Sequence, residues 1–212
     1  MKAMVLNGVS GFAENPEPLV PAEIPTPIPG KGELLIAVTV CGVCHTELDE
    51  IEGRTPPPVF PVILGHQVVG RVAATGPDAG RFRPGDRVGV GWIHWACGSC
   101  DACRFGNENL CPQFRATGRD VHGGYAEFMT VPSAFAHPIP GVFSDEEAAP
   151  LLCAGAIGYR SLRLTGLSDG RNLGLTGFGA SGHLVLMTVR RLFPHTKIFV
   201  FARNAREREF AR

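Results

Sequence analysis

Charge of one sign is what this sequence most lacks. Its 212 residues hold 20 Lys plus Arg against 20 Asp plus Glu, a formal net charge of zero. No electrostatic field therefore draws nucleic acid, an anionic membrane surface or an acidic substrate toward it. The expected partner is a small neutral molecule, with no nucleic acid and no membrane. Long apolar runs are also missing, and no segment approaches the roughly 20 apolar residues of a membrane-spanning helix. The opening Met1-Lys-Ala-Met-Val-Leu-Asn-Gly has one positive charge and too short an apolar run for a signal peptide. A cytoplasmic location is the expectation. Internal repeats and low-complexity tracts are absent as well.

What is present is a folding composition, with 44% hydrophobic and 19% charged residues, enough for one large or two modest domains. Lys2 to Leu6 and Gly32 to Val43 read as strands, the second alternating around Leu35, Ala37, Thr39 and Cys41. Between them Pro16, Pro18, Pro21, Pro25, Pro27 and Pro29 lack amide donors, so this connector can follow a sheet edge but cannot lie centrally. Cys44 to Ile51 predicts a short helix. His66 to Thr75, Asp86 to Gly91 and Gly124 to Val131 predict further strands, and the glycine and proline punctuation between them suggests a rolled, barrel-like β domain. From Ser144 the texture changes. Ser144-Asp-Glu-Glu147 is a capping-box pattern predicting a helix to about Leu152. Then follow a helix over Ala154 to Leu164, a strand over Asn172 to Thr176, a helix over Ser181 to Leu192, a strand over Lys197 to Ala202 and another helix from Arg206. This β-α-β order is the mark of a parallel sheet.

Seven cysteines in a cytosolic protein point to metal or reactive thiols before disulfides. Four of them, Cys97, Cys100, Cys103 and Cys111, lie so close together that one loop can supply a closed tetrahedral set of thiolates for zinc. Scattered core cysteines or two disulfides are the alternatives. Cys44, His66 and Cys153 are separately unremarkable: a cysteine at a helix end is often packing, and a lone histidine is often no ligand. Together they make a Cys2His set with an open fourth position, the arrangement of a catalytic zinc. In the β-α-β segment the turn Gly177-Phe-Gly179-Ala-Ser-Gly182 is GxGxxG between a predicted strand and a predicted helix, the context in which such a turn seats a dinucleotide pyrophosphate. At the end of the next strand an acid would recognise the ribose hydroxyls of NAD. Arg203 stands there instead and favours NADP over NAD through its 2′-phosphate, the alternative being an ordinary surface arginine.

These residues, with Cys44-His-Thr-Glu47, Gly65-His66, Val68-Val-Gly70, Gly85-Asp-Arg-Val-Gly89, Gly123-Gly-Tyr-Ala-Glu127 and Pro150-Leu-Leu-Cys153-Ala-Gly155, run in one order along nearly the whole chain. In that order the sequence resembles the zinc-dependent alcohol dehydrogenases of the medium-chain dehydrogenase/reductase superfamily. The resemblance implies an α/β protein. Residues 1–153 would be a β-rich GroES-like catalytic domain with a structural zinc lobe at about 93–115, and residues 154–212 the first part of a Rossmann nucleotide-binding domain. It implies two Zn2+ per chain, catalytic at Cys44, His66 and Cys153 and structural at Cys97, Cys100, Cys103 and Cys111. It also implies hydride transfer between NAD(P) and a small alcohol, aldehyde or ketone. Thr46 then takes the alcohol proton, His45 faces the cofactor phosphates, and Glu47 orients His66. For Glu47 the alternative is a solvated helix charge.

Several positions depart from the family pattern. Gln67 follows the histidine ligand where relatives often have glutamate, which keeps an oxygen but removes a negative charge near zinc. Asp49 replaces the histidine that commonly ends the proton relay, so the pH dependence should differ. Ile157 stands where threonine is common. Trp92 resembles the bulky pocket residue of enzymes acting on small alcohols, with a core tryptophan as the alternative, and Cys41 reads as packing. Family members also continue past the second Rossmann strand. The sequence alone therefore carries the expectation of a truncated chain, without the usual homo-oligomer interface and poor in turnover, with a non-catalytic zinc-binding fragment or scaffold as the alternative reading.

Overall fold

The computed structural model describes residues 1–211 and separates into two compact units, Met1–Leu152 and the residues from Cys153 onward. In the first unit the strands are β1 (Lys2–Leu6), β2 (Leu19–Glu23) and β3 (Glu33–Gly42), followed by helix α1 (His45–Ile51). Then come β4 (Val62–Ile63), β5 (Gln67–Thr75), β6 (Arg87–Val90) and β7 (Ile93–Trp95), the short helix α2 (Asp101–Arg104), β8 (Arg115–Ala116), β9 (Phe128–Pro132), β10 (Ala136–Pro138) and α3 (Asp145–Ala148). The second unit holds α4 (Ala154–Leu164), β11 (Asn172–Thr176), α5 (Ala180–Leu192), β12 (Lys197–Phe201) and α6 (Ala205–Phe210).

The main sheet has the order β10-β6-β5-β3-β9 and is antiparallel throughout. Register breaks between Leu35 and Ile36 and between Val38 and Val40 bend β3 and curl the sheet over its core. That core is Leu34, Ile36, Val68, Val72, Val88, Val90, Met129 and Val131, with Ala79 and Phe82 supplied by the following turn. The alternation expected in β3 is present, but its fully buried side chains are the even-numbered Leu34 and Ile36. Leu35, Ala37 and Cys41 are half-buried and Thr39 is exposed. A second sheet has the order β2-β1-β4, and Pro21 sits in β2 at its edge, where a missing amide costs no ladder bond.

Two predicted elements differ from what forms. The strand expected from Gly124 starts only at Phe128, because residues 123–125 hydrogen-bond instead to the backbone of 63–65. Gly123 makes this approach feasible, since a Cβ there would lie 2.2 Å from the Gly65 carbonyl oxygen. The helix expected from Ser144 to Leu152 is α-helical only to Ala148 and continues as a 3-10 turn over Ala149–Leu152, where Pro150 has no N–H to extend the α ladder. Its start is as predicted: Ser144 Oγ accepts from Glu147 N while Glu147 Oε2 accepts from Ser144 N.

In the second unit β11 and β12 pair in parallel from Asn172 opposite Lys197 to Thr176 opposite Phe201. Leu162, Leu173, Val185 and Val189 form the small core between these strands and α4 and α5. The fold is thus α/β, a curled β-rich unit and a β-α-β unit. Among the described residues no helix is long and apolar enough to cross a membrane.

Candidate metal centre and nucleotide-binding turn

Cys44 lies at the N-cap of α1, His66 immediately precedes β5, and Cys153 is bonded to Leu152, which packs beside Val69 and Ala149 in the first unit. One ligand atom of each lies within 4.8 Å of the others. The α1 helix brings a second layer to this set. Glu47, its third residue, is 2% exposed, and its two carboxylate oxygens serve separate partners. Oε2 accepts from Cys44 N at 2.6 Å, and Oε1 lies 2.6 Å from His66 Nδ1. With Nδ1 so engaged, Nε2 of His66 is the nitrogen left for a metal.

Electrostatics at His66 are those of a site prepared for a cation. Burial by itself would push the imidazolium down, but hydrogen bonding to Cys44 and Glu47, and their charges, outweigh it and raise His66 to about 9. The proton so retained is what a metal ion displaces on binding. A Cys2His donor set, buried at its histidine and with each residue offering one ligand atom, fits zinc and leaves a fourth position for a small ligand.

The other expected positions around this set are placed as follows. Thr46 is half-buried, with Oγ1 3.5 Å from Cys44 Sγ. Trp92 is half-buried, its ring edge-on to His66 with centroids 4.9 Å apart and 6.3 Å from the Phe114 ring. Gln67 is buried, and its side chain lies over Gly42, the residue paired with it across β3 and β5. His45 is exposed and its Nε2 lies 3.9 Å from Asp49 Oδ1. Asp49 is not alone at the helix surface: the guanidinium of Arg54 binds it through Nε and Nη2 and reaches Glu52 through Nη1. Sequence reasoning passed over Arg54, whose only signal was its position just beyond the helix end. Burial pushes the Cys41 thiol up to about 12, in keeping with packing.

The four-cysteine lobe is closed at its base by β7 pairing with β8, Ile93 opposite Ala116 and Trp95 opposite Arg115. All four sulfurs lie within 4.8 Å of one another. The Cys97–Cys103 and Cys100–Cys103 separations are 3.9 and 3.5 Å. These bracket the edge of about 3.8 Å that a zinc–sulfur bond of ~2.3 Å gives a tetrahedron. Amides point at the sulfurs: Cys100 N at Cys97 Sγ, and Cys97 N and Gln113 N at Cys111 Sγ. The N–H groups of Ser99 and Cys100 bring Cys97 down to about 6. Burial, together with hydrogen bonding to Cys100, pushes Cys103 up to about 12. One sulfur is thus a ready thiolate and another holds a proton for a dication to displace, and no disulfide competes for any of the seven cysteines.

In the second unit Gly177 closes β11 with φ +78°, a left-handed conformation that side chains resist, and its N–H bonds to Phe201 O at 2.8 Å. Gly179 caps α5 with no side-chain cap, and nothing lies within 4 Å of where its Cβ would be, which leaves room for a phosphate at the helix N-terminus. A Cβ on Gly182 would lie 3.2 Å from Gly177 O. Arg203 follows β12 at the same carboxyl edge, with its side chain exposed. Arg208 spans the turn below it, donating to the carbonyls of Ala202 and Arg203.

Known proteins bear out the family. Residues 30–141 match the alcohol dehydrogenase GroES-like domain. A Mycobacterium tuberculosis relative, "Probable alcohol dehydrogenase AdhA", is 53% identical over 190 residues, which cover 87% of this chain and 54% of the relative. The chain therefore spans about half the length of the curated relatives it matches. Among solved structures, an NAD-dependent alcohol dehydrogenase superposes with TM-score 0.89 at 27% identity, covering 100% of this chain and 60% of that one. A cobalt- and zinc-bound thermostable alcohol dehydrogenase from Pyrobaculum aerophilum gives TM-score 0.86 at 27% identity, covering 100% and 62%. The chain belongs to the zinc-dependent alcohol dehydrogenases of the medium-chain dehydrogenase/reductase superfamily, by way of their GroES-like domain.

Proposed function

We propose that the protein interconverts a small alcohol and its aldehyde or ketone, with hydride passing between the substrate carbon and a nicotinamide nucleotide. The observation that supports this best is the convergence of Cys44, His66 and Cys153 with Glu47 backing His66. A zinc ion held by these three residues supplies Lewis acidity that makes an alcohol hydroxyl easier to deprotonate. Thr46 accepts a hydrogen bond from that hydroxyl and passes its proton on. Asp49, three residues further along α1 and on the same face, is the next group toward solvent. Arg54 fixes the Asp49 carboxylate in place. Trp92, edge-on to His66, narrows the space for the substrate carbon chain and favours small alcohols. Cys97, Cys100, Cys103 and Cys111 hold a second, structural zinc that has no open position.

Gly177, Gly179 and Gly182 seat the cofactor pyrophosphate on the N-terminus of α5, and His45 offers a further donor to its phosphates. Arg203 is the residue that favours NADP, by pairing with a 2′-phosphate, and no acid stands at the end of β12 to bind a free ribose hydroxyl pair. The test joins metal analysis to an assay. Protein purified without chelator is expected to hold two zinc atoms per chain, Cys44→Ser one, and alcohol-dependent nucleotide reduction to follow the first count. A chain with two zinc atoms and no alcohol-dependent reduction of either nucleotide overturns the reading.

A further inference from the structure

Trp92 stands between the two cysteine sets. On one side its indole is edge-on to the His66 ring, with centroids 4.9 Å apart. On the other it meets Phe114, with centroids 6.3 Å apart and planes 34° off parallel, within the range of an attractive aromatic pair. Phe114 in turn packs against Ala96, Cys103 and Cys111, the buried cluster of the four-cysteine lobe. Its backbone is tied to the lobe as well: Phe114 N donates to Cys111 O at 3.0 Å, and Gln113 N points at Cys111 Sγ at 3.4 Å. The Trp92 backbone is held separately. Gly91 before it lies so near Leu152 that a Cβ there would come within 2.9 Å of the Leu152 carbonyl oxygen, and Trp92 O accepts from Thr117 N at 2.9 Å. With its backbone held, the indole takes its orientation from what packs on it, and His66 and Phe114 are its aromatic neighbours.

The lobe is the element able to switch this contact. Its buried core is Ala96, Cys103 and Cys111, and a core that small does not hold a loop of this length without a staple, so its order depends on metal at the four sulfurs. Phe135 packs on both the lobe cluster and the main core and keeps the base of the lobe attached in either state. The turn from Cys111 to Phe114 is instead tied through Cys111, so a metal that fixes Cys111 Sγ fixes the Phe114 ring with it. We propose that Phe114 is a positioning residue that couples the two metal sites: with the lobe loaded it holds Trp92 against His66, and the three-ligand site binds its metal more tightly. This rests on the reading of Cys44, His66 and Cys153, and of the four lobe cysteines, as metal sites. The coupling is positive because an ordered lobe already holds the Trp92–His66 edge in place, and a metal at His66 then has less motion to arrest. It is also reciprocal, so metal at His66 strengthens the lobe by the same factor.

The experiment measures zinc affinities on the whole chain by competition with a chromophoric chelator. Cys44→Ser leaves only the lobe to load and Cys103→Ser only the three-ligand site, so each reports one constant. The wild-type chain is expected to bind its two zinc atoms roughly 3- to 10-fold more tightly than the product of those constants, the span that one aromatic pair carries. Phe114→Leu, of similar bulk but without the ring, is expected to bring that factor to one when placed in all three chains, and Phe114→Tyr should keep it. A merely structural Phe114 would weaken the lobe in every chain and leave the factor alone. Acrylamide quenching reads the link directly in a chain carrying Trp95→Phe and Cys44→Ser, where Trp92 is the one tryptophan left. Zinc at the lobe should protect Trp92 from the quencher, and Phe114→Leu should abolish that protection. Two zinc atoms bound with a factor of one, a factor that survives Phe114→Leu, or quenching indifferent to lobe zinc overturns the proposal and leaves the metal reading standing. A wild-type chain that binds one zinc atom only defeats the metal reading and the proposal with it. Should Phe114→Leu not fold, the wild-type factor and the quenching of Trp92 with and without lobe zinc decide.

Discussion

Glu47 shows how one side chain can serve backbone and site together. Its Oε2 receives the Cys44 amide at the start of α1 while its Oε1 faces Nδ1 of His66, so the helix start and the imidazole orientation are fixed by one carboxyl group. Replacing Glu47 by Gln keeps the size and one acceptor oxygen but removes the charge and puts a donor amide at one of the two places. The expected outcome is zinc affinity at Cys44, His66 and Cys153 lower by roughly 10- to 100-fold. The lobe should be untouched, as metal competition would read. Equal affinity in the variant would show that His66 needs no partner at Nδ1. Much of the cluster was legible residue by residue: cysteine and histidine types singled out Cys44, His66 and Cys153, which lie together in the structure with Glu47 beside His66. Arg54 was not legible, because a base beside a short polar helix looks like a solvated charge until its partners are known.

At the scale of elements, the first unit is held by pins between segments distant in sequence. Asp145, the first residue of α3, accepts from Thr39 Oγ1 at 2.5 Å and from Arg87 Nε at 2.7 Å, tying the helix to β3 and β6. Thr39, followed by Arg87, holds the Asp145 carboxyl below its ordinary value. A group with a depressed folded pKa stabilises above its unfolded value of about 3.9 and loses that stabilisation as pH falls through the folded one. Asp145→Asn is therefore expected to lower stability at pH 7 by roughly 1–2 kcal/mol. The difference from wild type should shrink below about pH 4, as urea titrations across pH would show. The lobe between β7 and β8 is an element of another kind, with Ala96, Cys103 and Cys111 as its only buried core and four sulfurs within 4.8 Å of one another. Cys111→Ser, or a strong chelator, is expected to unfold it locally and raise protease sensitivity between Trp95 and Arg115. Undiminished protection would show that the loop holds without metal. Long elements such as β3, α4 and α5 were plain from pattern, whereas β4, β8 and β10 span two or three residues and owe their existence to partners far along the chain. The inward face of β3 was invisible for the same reason, since bulges and the sheet above it decide which alternate set is buried.

For the molecule as a whole, the two units differ in how completely they cover themselves. The first encloses an eleven-residue buried cluster beneath a five-stranded sheet. The second has two paired strands over a four-residue buried cluster, and it leaves Phe199 and Phe201 of β12 exposed. Two strands give few protected ladder bonds, and independent stability ordinarily needs three or more strands or thorough helix cover. Local opening is therefore expected to come sooner in the second unit. Native-state hydrogen exchange measures this directly. Amides of β11 and β12 should exchange with lower protection than those of β3 and β5, and zinc loading of the three-ligand site should raise protection around α1 and β5 more than along β12. Equal protection of the two sheets would show that the exposed phenylalanines of β12 are covered in solution, by a second copy of the chain if protection rises with protein concentration.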